Sequence, residues 1–134
     1  MWEAYLIHAD CFIHDSRNVD ISEQSRAFLA VMASELALKS LYYRYNPQGD
    51  IRGHISRDLL KEVIVTVEIS PHNEIYEAVD ELERHYLAPR YPEDTSAYFC
   101  CISAQVGSDH YPSIIDELIS AAQIILDWVR SQLG

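Results

Sequence analysis

Several things are scarce in this chain, and each scarcity removes a class of protein. Cysteine is limited to Cys11, Cys100 and Cys101, an odd number with no C-x-x-C pair. That set makes no disulfide framework, and a reducing cytoplasm is the expected compartment. No apolar run approaches the ~20 residues of a membrane span. The opening MWEAYLIHADCF carries Glu3, His8 and Asp10, without the basic leader and apolar core of a signal peptide. Positive charge is scarce too, with ten Lys and Arg against twenty-one Asp and Glu and a net charge of −11. A broad grip on DNA or another phosphate backbone is therefore not expected, while a small local basic site is compatible with the charge.

What the sequence has in quantity is helix-forming apolar residues. A chain of 134 residues fits one domain and buries roughly two-thirds of the surface its unfolded form exposes, enough for one core. The longest apolar stretch without Gly or Pro runs from Arg26 to Tyr45, RAFLAVMASELALKSLYYRY. Its Ala, Leu, Met, Glu and Lys favour helix, and Phe28, Val31, Met32, Leu36, Leu38 and Leu41 leave little polar circumference. Such a helix belongs at the centre of a bundle, covered on most sides. Glu35 and Lys39 share one face four residues apart, in the favourable order. They form either a solvated ion pair or the rim of a polar site between helices.

Around this centre the chain divides into further helices. Trp2 to about Arg17 places Tyr5, Leu6, Ala9, Phe12 and Ile13 at spacings of three and four. His8, Cys11 and His14 are of zinc-binding type, but fan over about 120° of that helix and close no tetrahedral set. Asp20 or Ser22 can cap the central helix. Asn46-Pro47-Gln48-Gly49-Asp50 ends it. From Ile55 to about Ile69 the apolar residues again recur at three and four, so helix is expected, although the β-branched Val63-Ile64-Val65-Thr66-Val67 suits a strand by propensity. Ser70-Pro71 reads as an N-cap with Pro at the first helical position of a fourth helix. One face of that helix is Ile75, Ala78, Val79, Leu82 and Tyr86; the other is the acidic run Glu74, Glu77, Asp80, Glu81 and Glu83, a solvated surface. Leu87 to His110 is irregular, with Arg90-Tyr91 held between Pro89 and Pro92 and room for a short helix over 97–106. A last helix starts near Pro112 and carries an apolar stripe to the end. The reading is an all-α, up-and-down antiparallel bundle of about five helices in a single domain spanning 1–134. The size of the central apolar helix makes a homodimer plausible.

Four stretches then fall together: Ala33 to Leu41 with its Glu35-x-x-x-Lys39, Gly53-His54, Arg90-Tyr91-Pro92-Glu93-Asp94, and a last helix with Ala121-Ala122 and Trp128. In this order and spacing they resemble the HEPN domain, the "higher eukaryotes and prokaryotes nucleotide-binding" family. The resemblance covers nearly the whole chain. It implies a helical bundle that commonly dimerises and is often encoded beside a minimal nucleotidyltransferase, as one half of a toxin–antitoxin-like pair. Ribonuclease branches of the family carry an Arg, four to six residues, then a His. No Arg and His here have that spacing; the nearest approaches are Arg52 with His54, Arg84 with His85 and Arg44 with His54. The expectation is therefore a non-catalytic module that needs no metal or cofactor and binds a nucleotide or similar phosphate ligand; the alternatives are a metal-independent ribonuclease that pairs Arg90 with His110 on folding, and a purely structural dimer whose acidic fourth helix meets a basic partner. Arg90 would hold a phosphate bidentately, Tyr91 would stack on a base, and Lys39 would add a point charge. His54 would donate at a helix N-terminus, and Glu35 would orient Lys39 or accept from a ribose or base. Each has a structural alternative: Arg90 paired with Glu35 to pin the loop, His54 as a capping or core-edge residue, and Tyr91 as packing.

Overall fold

The computed structural model describes residues 1–87 and 110–134, and within them the chain forms five α-helices and no strand. They are α1 (Trp2–Ser16), α2 (Glu23–Tyr45), α3 (Arg57–Val67), α4 (Asn73–Leu87) and α5 (His110–Leu133). Arg90, Tyr91 and the short helix expected over 97–106 lie outside the described residues.

α2 is the axis of the bundle and packs against all four other helices. Its start is set by Ser22, whose hydroxyl oxygen accepts the Ser25 N–H at 3.2 Å. The helix thus begins one turn earlier than the apolar pattern alone suggests, because the capping side chain and not the first apolar residue fixes the end. Ala30, Ala33, Ala37 and Ser40 are buried on it, and side chains this small let a neighbouring backbone come close. α1 uses that space. Ser40 Oγ donates to the Trp2 carbonyl at 2.9 Å, and Arg26 Nε donates to the Ser16 carbonyl at 2.7 Å. The first residue of α1 therefore lies beside the C-terminal half of α2 and its last beside the N-terminal part, an antiparallel pair. α5 returns along both, with Arg17 donating to Gln123 at 2.9 Å, Arg130 paired with Asp10, and Tyr45 Oη donating to the Gln132 carbonyl at 3.2 Å.

The core between these helices is mainly aliphatic, with Tyr42, Tyr43 and Trp128 also buried in it. Leu38, Leu41, Leu60, Ile75, Leu82, Leu118 and Ile125 are wholly buried, each contributing about 1.5–3 kcal/mol relative to exposure. Coverage of α2 is not complete, however: Phe28 is 49% exposed, and Met32 and Leu36, four and eight residues on, are half-buried.

Two boundaries depart from the sequence reading. Ile55 is buried but precedes α3, whose cap is Ser56, accepting the Leu59 N–H at 3.1 Å. At the other end the β-branched tail stays helical to Val67, because Val63 is fully buried against the bundle and the described residues offer no strand to pair with it. Glu68 then closes the helix in the left-handed region at φ 60°, with its N–H on the Ile64 carbonyl at 2.8 Å. Pro71 is not the first residue of α4, which begins at Asn73. The chain leaving Glu68 spends Ser70 and Pro71 on the connection, and the first turn is entered through the Ile75 N–H to the His72 carbonyl at 3.0 Å. No helix among the described residues is long and apolar enough to cross a membrane.

Candidate functional site

Glu35, Lys39 and Tyr43 stand at i, i+4 and i+8 on α2, so helical geometry alone aligns them along one face. Glu35 is the most deeply placed charge described: its side chain is 7% exposed, and that of Lys39 15%. Lys39 Nζ donates to Glu35 Oε2 at 3.3 Å. A carboxylate this far from water is costly unless its oxygens are engaged. The second oxygen, Oε1, lies 3.2 Å from His54 Nδ1. Burial removes one of the alternatives left open by the i, i+4 spacing, since this pair is not a solvated surface bridge.

The loop after α2 delivers His54. Asn46 closes the helix with its N–H on the Tyr42 carbonyl at 2.8 Å. Gly49 then passes so close to Tyr42 that a Cβ there would meet its hydroxyl at 2.3 Å. The Ile51 N–H donates to Tyr43 Oη at 3.3 Å, fixing the loop on the same face of α2 as Glu35. Gly53 turns the chain at φ 103°, a region a side chain would strain, and His54 follows with its ring about half exposed. α1 completes the wall: Tyr5 stacks on Tyr43 with ring centroids 5.2 Å apart. The Tyr5 phenol is held above its ordinary range, first by burial, then by Tyr43 and its hydrogen bond, and by the negative charges of Asp50 and Glu35. It stays neutral and serves as a hydrogen-bonding wall.

The structure therefore brings together Glu35, Lys39 and His54, and adds Tyr5, which the sequence reading placed only in the apolar face of the first helix, and Tyr43, to which it gave no role. The i+4 step from Lys39 to Tyr43 was the available signal. Arg90 and Tyr91 lie outside the described residues. Chemically, one buried carboxylate holds a lysine ammonium and an imidazole from a separate segment at the edge of the bundle. Lys39 places a cation at this edge of a strongly acidic chain. A carboxylate so engaged orients its neighbours and is not poised as a free base. His8, Cys11 and His14 are all exposed on α1.

The family model of the HEPN domain matches residues 19–132 of this chain. No curated protein and no solved structure matches it.

Proposed function

Because this chain belongs to the HEPN domain family, we propose that it is a non-catalytic nucleotide-binding module, and that the face of α2 carrying Glu35 and Lys39 is its binding centre. The supporting observation is the buried Glu35 carboxylate holding Lys39 and His54 together. A phosphate is the complementary ligand: Lys39 supplies a point charge, His54 a ring N–H, and Tyr5 and Tyr43 an aromatic wall beside them. Arg90 and Tyr91 join the site in this reading as the phosphate fork and the base-stacking ring. The absence of an Arg followed after four to six residues by a His supports a role without catalysis. Within the family context the module acts with a minimal nucleotidyltransferase in a toxin–antitoxin-like pair, in the cytoplasm. The exposed Phe28 on α2 offers a homodimer contact.

Calorimetric titration with ATP, GTP and their monophosphates tests the reading. Saturable binding is expected, weakened at least about tenfold by Arg90→Ala and by Lys39→Met, the loss of one charged hydrogen bond at ~1.5–3 kcal/mol. No heat from any nucleotide overturns the ligand role, and undiminished binding in Lys39→Met moves the ligand away from Glu35. Cleavage of total RNA by the purified protein would replace the non-catalytic reading with a nuclease.

A further inference from the structure

A groove of about 380 Å³ runs between α4 and α5, away from the Glu35 site. Its floor is small and apolar, with Ala78 and Ala121 buried and Ile124 half-buried. Its walls are Glu74 and Glu77 from α4 and Asp116, Glu117 and Ser120 from α5, all exposed. The concavity follows from the two alanines, which leave a channel where larger residues would fill the seam.

The four wall carboxylates have no cation within ion-pair distance among the described residues. Two other acids of α4 are treated differently: Asp80 is held by Arg57 and Glu81 by Arg84. Among the described residues Glu83, on the same helix outside the groove, is also without an ion pair, but only the groove gathers four unpaired carboxylates around one apolar floor, where they repel one another until a cation arrives. Nucleic acid is excluded by sign. A metal ion is not favoured, since the described residues hold no group of three or more ligating side chains placed for one. A second copy has little to offer. The described cations are engaged within their own chain, as Arg17 with Gln123, Arg26 with the Ser16 carbonyl and Arg44 over Trp2, leaving Lys61 without such a contact.

We propose that this groove docks a basic amphipathic helix of a different protein, its apolar stripe on Ala78, Ala121 and Ile124 and its lysines or arginines flanking toward Glu74, Glu77, Asp116 and Glu117. A helix fits because residues three and four apart lay an apolar seam with cations on both sides, and long basic side chains reach outward while their stems cover apolar surface. The proposal does not rest on nucleotide binding, and the two can fail separately.

The test uses the full chain and a fluorescein-labelled amphipathic helix of lysine, leucine and alanine, read by fluorescence anisotropy. Glu77→Lys combined with Glu117→Lys is expected to weaken binding at least about tenfold. Ser120→Trp obstructs the groove without altering charge and is expected to weaken it about fivefold or more. Glu3→Lys combined with Asp58→Lys changes net charge equally at exposed positions elsewhere, and binding should stay within about twofold. Circular dichroism confirms that each variant remains helical. Equal losses in groove and control variants would reduce the attraction to net charge and overturn the proposal, as would undiminished binding in Ser120→Trp or no binding by the parent chain. A change in the chain's own oligomeric state with Ser120→Trp would assign the groove to a second copy instead.

Discussion

Glu35 and Glu77 are the same residue on adjoining parts of one bundle, and the fold handles them in opposite ways. Glu35 sits 7% exposed at its side chain and is contacted by Lys39 and His54, one partner per oxygen. Glu77 faces an open groove with three other carboxylates and no partner among the described residues. The difference is in solvent. A carboxylate removed from water must recover its hydration from protein groups, whereas one left in water is screened and can remain unpaired at little cost. A buried carboxylate here is paired, whereas an exposed one is either paired, as Asp80 with Arg57, or left open, as Glu77, at little cost.

That contrast is most exposed at Glu35. Glu35→Ala should cost about 3 kcal/mol in urea unfolding, because the half-hidden Lys39 ammonium is left without its carboxylate. Glu35→Leu combined with Lys39→Leu should recover most of that loss, since both charges leave together. If Glu35→Ala costs no more than Glu77→Ala, burial is not what separates the two sites.

An intermediate case lies on α4, where Arg57 makes two 2.7 Å hydrogen bonds to a half-exposed Asp80. Arg57 chiefly, through that hydrogen bond, holds the Asp80 carboxyl below its usual range. Its folded-state pKa is lower than its unfolded one, so its contribution is complete above the unfolded value near ~4 and is lost as pH falls through the folded value. Asp80→Asn should therefore be less stable than the parent at neutral pH, by less than Glu35→Ala, with the gap closing in acid, as pH falls through the lowered folded-state value, in titrations followed by circular dichroism. A gap that persisted in acid would show that shape and not charge holds that contact. The smallest effect belongs to the groove. Glu77→Gln should change stability by no more than about 0.5 kcal/mol, in the stabilising direction, with the gain fading as salt is raised. A clear destabilisation would mean that Glu77 already has a partner.

Much of the fold was legible because helix formation here is local. The three-and-four spacing in α1, α2 and α5 and the capping serine at position 22 need only neighbours along the chain. The two misplacements were at ends decided by tertiary contact or by loop geometry. Ile55 looked helical because it is apolar, but it is buried from the preceding loop; Pro71 looked like a first helical residue, but the left-handed Glu68 leaves it in the connection. At the candidate site, the Glu35–Lys39 pair was legible as a pair and not as a buried one. Tyr43 lies one helical step further, where the apolar pattern assigns it no role. The groove was half legible: the acidic face of α4 could be read, but its pairing with Asp116 and Glu117 across more than thirty-five residues of sequence could not.

By itself the sequence determined the helices, the central place of α2 and the acidic surface, because periodicity, capping and composition act over a few residues at a time. Only the tertiary structure decided which charges are buried and which stand open. That choice depends on what α1, α5 and the 46–54 loop lay over α2, and on where α4 and α5 leave a gap, and it sets whether a carboxylate must find a partner within the chain or is left to meet one from outside.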